Sequence, residues 1–280
     1  MWDRTICAAR AAWYGAVEPI KLRLLRFHRV RDDVPYGVHW HDPLVSVLIP
    51  THNRTDLLLS RALPSVLAQT YTNLHIVMGE HGCTDNTNYR AASFLRQNGW
   101  SEKRMWFVRL PRRQTYPPTA ENHWLVGPVA PLNAMLRDGV FGAWIARIDD
   151  DDTWTPDHVE TLLRAAQAGD YEFISSAYER ERDGVREMVS HDGGDPPIGG
   201  TQTWLYRSYL KFMRYNPDCW RKSWNRVNDT DLADRFRKAG VRIGWIPDVT
   251  AHVLPRPGET TVGLAAYRRD AQGKERAFAF

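Results

Sequence analysis

The stretch Ala143-Trp-Ile-Ala-Arg-Ile-Asp-Asp-Asp-Asp-Thr-Trp154 decides how the rest of the chain is read. Residues 143–148 are a mainly apolar run that reads as a buried strand, and it stops at Asp149, Asp150, Asp151 and Asp152. Four adjacent carboxylates repel one another, and at the end of a core strand they cannot all be freely solvated. A divalent cation relieves that repulsion, and hard cations such as Mg²⁺ or Mn²⁺ choose oxygen ligands. An isolated Asp run is more often a solvated loop. The strand placed directly before this one favours a metal site.

Outward from that stretch, strands and helices alternate. Residues 45–49 predict a β-branched strand ending at Pro50, then a helix over 57–69 capped by Thr55 or Asp56 and kinked or restarted at Pro64. A strand over 74–78 leads into Gly79-Glu-His-Gly-Cys-Thr-Asp85, a helix over 89–96 ends at Asn98-Gly99, and residues 105–109 make a third strand. The Pro-rich residues 111–131 read as a long functional loop, followed by a short helix over 132–138. Beyond the Asp run, Thr155-Pro156 reads as an N-cap and first position of a helix that stops at Gly169. This order implies an α/β fold with a mostly parallel sheet flanked by helices, which binds ligands at the carboxyl ends of its strands. Thr51, Glu80 and Asp149 each lie just past a different predicted strand, so three segments form one candidate site.

The second half is less regular. It predicts a strand over 171–175, loop density over 180–200, an aromatic helix over 203–213, a helix over 228–240 and a strand over 241–246 with His252 beyond it. The aromatics Trp204, Tyr206, Trp220 and Trp224 read mainly as core, with one of them at most stacking on a sugar.

Composition is that of a folded protein: 280 residues, 43% hydrophobic and 25% charged. The net charge of +4 points to an anionic partner, while the scattering of the basic residues argues against nucleic acid. Three cysteines without metal spacing, no secretory signal and no apolar run of membrane-spanning length predict a cytoplasmic protein. Residues 1–43 stand apart. Trp2, Ile6, Ala9, Trp13 and Val17 recur at helical spacing, Pro19 interrupts, and Lys21, Arg23, Arg26, Arg29 and Arg31 then interleave with Leu22, Leu24, Leu25 and Phe27. Two readings stand: a basic amphipathic helix over residues 1–31 lying peripherally on the inner membrane face, or a helix packed on the catalytic domain or on a second copy. The second is favoured.

Four blocks over residues 44–257 resemble the GT-A-fold glycosyltransferases of family 2. They are Val45-Ser-Val-Leu-Ile-Pro-Thr-His-Asn-Arg54; Ser65-Val-Leu-Ala-Gln-Thr-Tyr71 with Gly82-Cys-Thr-Asp85; Asn133 with Ile148 to Asp152; and Asn228-Asp-Thr-Asp-Leu232 with Arg235 and Gly240. The resemblance implies a GT-A (Rossmann-like) domain: a nucleotide-sugar half over 44–155, an acceptor half over 156–257 forming a smaller subregion, and a tail over 258–280. It implies nucleotide contacts from Thr51, Arg54, Glu80, Asp85, Asn133, Asp149 and Asp150. It assigns Mn²⁺ or Mg²⁺ to Asp151 and Asp149, with His252 a further ligand, and makes Asp229 the general base of an inverting transfer. Asp231 is the rival base, since Asp229 could merely cap its helix. The implied donor is a nucleotide-diphosphate sugar, UDP first, and the acceptor a glycan, lipid-linked or protein hydroxyl. Two departures stand out: Glu80-His81 replaces the usual acidic pair, and Asn228 replaces the usual Glu before the base. The competing readings are a silent sugar-nucleotide-binding scaffold and a sugar nucleotidyltransferase. The latter would want a Gly-rich cradle after the first strand, and Pro50-Thr-His-Asn-Arg54 has none.

Overall fold

A computed structural model describes residues 2–32, 42–111 and 115–268. Residues 33–41, 112–114 and 269–280, parts of the N-terminal extension, the 111–131 segment and the tail, lie outside the described residues, as do the side chains of Trp2 and residues 28–32.

The alternation Val45-Ser-Val-Leu-Ile49 builds the central strand β1 (Val45–Thr51), buried at every position. Successive side chains point to opposite faces, so Val45, Val47 and Ile49 join one core and Leu48 the other. β2 (Leu74–His81) and β4 (Trp144–Arg147) flank β1 in parallel, and β3 (Met105–Leu110) lies parallel outside β2. Thr51 sits opposite Glu80, which brings the carboxyl ends level. Beyond β4 the sheet is mixed. β8 (Leu205–Arg207) is antiparallel to β4 and to β6 (Phe173–Arg182); β9 (Ile243–Val253) is parallel to β6; β5 (Asp152–Trp154) is antiparallel to β9. β7 (Val185–Val189) returns on β6 as a hairpin. One sheet, ordered β3-β2-β1-β4-β8-β6-β9-β5, thus runs through both halves.

Helices cover both faces. α2 (Thr55–Leu57), α3 (Leu63–Leu67), α4 (Thr87–Gln97) and α7 (His158–Ala168) lie on the core of Val45 and Val47. α5 (Ala120–Val126), α6 (Val129–Asp138) and α8 (Asn228–Ala239) lie on the opposite one, and Leu22 of α1 (Trp2–Asp32) joins them there. The tail adds the short α9 (Leu264–Arg268). No described helix is long and apolar enough to cross a membrane.

Several elements differ from the sequence reading. Pro19 does not interrupt α1, which continues through it because anchors on both sides hold the helix down. Glu18 pairs with Arg235, Leu22 is fully buried, and Arg26 pairs with Glu172. Near Pro64 the chain makes a π turn, Leu58–Ala62, between α2 and α3. A widened turn makes room for a proline ring that would meet the carbonyl four residues back. The 111–131 segment is largely helical: Thr119 caps α5 by accepting from the Asn122 N–H at 3.1 Å, and α6 starts at Val129. α7 begins at His158 rather than beside Thr155, because the Thr155 N–H is still held by the Thr250 carbonyl at 3.0 Å. Residues 180–200 contain the β6–β7 hairpin, turned by Asp183 and Gly184 at φ 50° and 74°. Residues 203–213 are not a helix; β8 runs between two 3₁₀ turns, pulled into the sheet by β4 and β6. His252 lies inside β9 rather than past its end.

Candidate active site

The four aspartates make a tight turn. The Asp152 N–H donates to the Asp149 carbonyl at 3.3 Å, and Asp152 then enters β5. Two guanidinium groups answer the carboxylates. Arg54 lies 3.2 Å from both Asp150 and Asp151, and Arg147, from the end of β4, lies 3.0 Å from Asp149. The Thr51 hydroxyl donates to Asp150 at 2.8 Å. Burial pushes the Asp150 carboxyl up to about 6, with Arg54 opposing and the neighbouring Asp151 adding to the rise. Burial, then Asp151, Asp149 and Asp150, push Asp152 up as well. Proximity alone therefore leaves the cluster short of positive charge.

Two cavities adjoin this turn. The smaller, about 180 Å³, is lined by Thr51, His52, Arg54, His81, Tyr116, His123, Tyr267 and Asp149 to Asp151. Burial drives the His123 imidazole down to about 4, helped by the Arg54 charge, so it is neutral at pH 7, and its Nδ1 lies 3.0 Å from the Tyr116 hydroxyl. The larger, about 330 Å³, holds Asp149, Asp151, Asp152, Arg147, Gln202, Asn228, Asp229 and Tyr267. Arg147 Nε, Gln202 Nε2 and Asn228 Oδ1 are buried there without a hydrogen-bond partner among the described residues. Such atoms are costly unless a ligand or water meets them. Asp149 and Asp151 line both cavities. A third and larger one, about 920 Å³, lies apart between α1, α8 and residues 222–226.

Asp229 lies in the first turn of α8 and accepts the Thr230 N–H at 2.6 Å. Burial raises its carboxyl and Arg147 opposes that rise. Asp231, two residues on, faces the other way. It accepts the Trp224 indole N–H at 2.6 Å and the Arg235 guanidinium at 3.1 Å, beneath α1.

The model of the family described as Glycosyl transferase family 2 matches residues 46–230. The chain belongs to glycosyl transferase family 2. It is similar to the Escherichia coli UDP-Glc:alpha-D-GlcNAc-diphosphoundecaprenol beta-1,3-glucosyltransferase WfgD, 25% identical over 49% of this chain and 47% of the relative. It is also similar to the putative colanic acid biosynthesis glycosyl transferase WcaA of Escherichia coli K12, 30% identical over 45% of this chain and 39% of the relative. The chain thus spans less than half the length of these curated relatives. Two solved structures share the fold. Staphylococcus aureus TarS 1–349 in complex with UDP has TM-score 0.57 at 15% identity, over 77% of this chain and 61% of that one. Mannosyltransferase PcManGT from Pyrobaculum calidifontis, in complex with GDP-Man and Mn²⁺, has TM-score 0.53 at 17% identity, over 95% and 71%. The fold is therefore that of the GT-A glycosyltransferases.

The family reading named ten site residues, and the structure brings six of them to the two cavities: Thr51, Arg54, Asp149, Asp150, Asp151 and Asp229. The other four are placed elsewhere. Glu80 pairs with Arg109 at 3.3 Å from within β2. Asp85 accepts the Thr55 N–H and hydroxyl at 3.1 and 2.6 Å, fixing the start of α2. Asn133 clasps the Tyr215 backbone at 2.8 and 2.9 Å, and His252 pairs with Glu179 at 3.3 Å. His52, His123, Tyr116, Arg147 and Tyr267 were not singled out. The first lies within the block already quoted, and Arg147 is the one charge in the apolar run before the Asp turn, so both left a signal. Tyr267 reaches the site from the tail and left none.

Proposed function

We propose that this family 2 member is a metal-assisted inverting glycosyltransferase that moves a sugar from a nucleoside diphosphate, UDP first, to a hydroxyl of a glycan, lipid-linked or protein acceptor. The observation that carries the reading is the sharing of Asp149 and Asp151 between two cavities, one lined by Thr51, His52 and Arg54 and the other by Asp229. A donor lying across that shared wall would put its anomeric carbon between the diphosphate and the base. The UDP preference rests on WfgD and TarS, which are named with UDP or a UDP-sugar. Three free cysteines support a reducing, cytoplasmic setting.

The donor set fits a hard cation. Asp149 and Asp151 offer carboxylate oxygens at the cavity wall, and no group of three or more His, Cys, Asp or Glu gathers as an ion cage among the described residues. Mg²⁺ and Mn²⁺ sites of this kind use one or two carboxylates and complete their shell with substrate phosphates. His252 stands outside that set, held by Glu179. When bound, the ion would meet the negative charge of the departing diphosphate.

The chain's own groups supply the rest. Asp229 takes the acceptor hydroxyl proton as that oxygen forms its bond to the anomeric carbon. The bond from that carbon to the phosphate oxygen breaks on the opposite side, the electron pair leaves with the nucleoside diphosphate, and the configuration inverts. Arg54 lines the diphosphate side, the neutral His123 lines both cavities, and Arg147 orients Asp149 beneath them.

Titration calorimetry with UDP, GDP, dTDP and CDP, each with Mn²⁺ and with chelator, tests the reading. Binding of UDP that chelator abolishes is expected. Binding of another nucleotide alone would reassign the donor, and binding of none would leave the scaffold reading in place.

A further inference from the structure

The two faces of α1 differ sharply. The inner face is committed to the fold: Cys7, Glu18 and Leu22 are buried, and Asp3 and Glu18 pair with Arg221 and Arg235. On the outer face Trp13, Ile20 and Leu24 are 63%, 59% and 54% exposed. At about 100° per residue these three fall within roughly 40° of one another, a single stripe along the helix. Ala9 and Ala16, also exposed, widen it without adding a polar group. The exposed charges of α1 up to residue 27 have one sign: Arg4, Lys21 and Arg23. Both acids in that span are turned inward onto arginines of the body.

We infer that α1 seats the protein on an anionic lipid surface, lying in the membrane plane with Trp13, Ile20 and Leu24 entering the headgroup–acyl boundary and Lys21 and Arg23, roughly 80° to either side of that stripe, meeting lipid phosphates. Tryptophan favours that boundary, where one side is apolar and the other wet. Charge decides against a second copy as the occupant. A self-complementary contact would bring the same cations of two chains together. One helix stripe is also narrower than the roughly 800 Å² per partner of a stable interface. The inference does not depend on the transfer reading. It adds one consequence: Glu18 holds Arg235 of α8, so the seated helix also fixes the helix whose first turn carries Asp229.

Flotation of the full chain with extruded vesicles tests this, using phosphatidylcholine alone or mixed with phosphatidylglycerol, at low and high salt. Binding to the anionic vesicles is expected, about thirtyfold weaker on neutral ones and weakened by salt, as two interfacial cations imply. Trp13→Glu with Leu24→Glu should abolish flotation while leaving the far-ultraviolet circular dichroism unchanged. Equal binding to both vesicle types, or none to either, overturns the inference. So does a wild-type dimer in sedimentation equilibrium that the double variant turns into a monomer, since a second copy would then own the face. The lipid and salt comparison on the wild-type chain holds even if the variant fails to fold.

Discussion

The strands β1 to β4 and the strands beyond β4 share one sheet but are assembled differently. In the first region β1, β2 and β3 are each followed by helical segments that return the chain in parallel, and the pairings keep a steady register. In the second, β8 is wedged antiparallel between β4 and β6, and β6 pairs with β9 through register shifts at Ser176 and Ala177. The regular region levels its strand ends and makes a floor for a nucleotide. The irregular one brings α8 and the tail around to face that floor. The Asp149–Asp152 turn belongs to both, because it leaves β4 and enters β5 on the far side of the sheet.

The largest expected effects test whether the two regions divide the chemistry as this geometry suggests. Asp229→Asn, in the second region, should lower kcat by about 10²- to 10⁴-fold, the range for loss of a general base, while nucleotide binding persists. Asp151→Ala, in the first, should lose cation-dependent nucleotide binding. Calorimetry on both variants beside turnover assays reads the split. Equal loss of nucleotide binding in the two would dissolve it.

Arg147 ties the regions together from below, buried under the turn with Asp149 and within reach of the Asp229 charge. Arg147→Met should cost about 3 kcal/mol, the low end for breaking a buried pair, because Asp149 keeps some contact with solvent. Guanidinium denaturation measures it. A loss below about 1 kcal/mol would mean that the turn holds without this charge.

The first region was legible because its pattern is local. The apolar run before the Asp turn, the β-branched run at 45–49 and the glycines after helices each act within a few residues of themselves. The segment 111–131 reads as a loop because its prolines mask Thr119, a good cap, and an apolar stretch able to form α5. In the second region the deciding contacts are distant. Nothing in residues 203–213 announces that Leu205 will pair with Ala146 and Ile174, so an aromatic run with helical spacing became a strand between two turns. The site divides in the same way. Thr51, Arg54 and the aspartates were readable from strand ends, whereas Tyr267 arrives from a tail whose path over the cleft depends on tertiary contacts such as Arg61 holding the Leu254 and Pro255 carbonyls.

His158 probes the seam between the regions at a smaller scale. It stacks on Trp154 at 4.2 Å and its Nδ1 meets the Thr250 hydroxyl at 2.7 Å, joining the strand after the Asp turn to β9. Burial lowers its imidazole to about 3. The unfolded chain therefore takes up this proton near the ordinary value of about 6.5 and the folded chain does not. The stabilising contribution is complete above that pH and drains away as pH falls from about 6.5 towards 3. At pH 5 the loss relative to pH 7 should be about 2 kcal/mol. His75 and His123, both lowered to about 4, act in the same direction. Denaturant midpoints at the two pH values measure the sum, and His158→Asn should flatten the dependence. An unchanged slope in that variant would place the sensitivity elsewhere.

The smallest effect sharpens the contrast in how the two regions are held. The β6–β7 hairpin turns through Asp183 and Gly184, and a Cβ added at Gly184 would meet nothing within 4 Å. A change there acts only through backbone conformation. At φ 74° an L side chain is disfavoured, so Gly184→Ala should cost about 1 kcal/mol and lower Tm by about 2–4 °C. The Asp183 N–H also donates to the Thr260 carbonyl at 2.5 Å, so the turn touches the tail that lies over the cleft. If the hairpin is only a surface return, sugar transfer by the variant should match the wild type once both are folded. A fall in turnover larger than the stability loss explains would make this turn a support for the tail, and the irregular region would then act on the site as one piece.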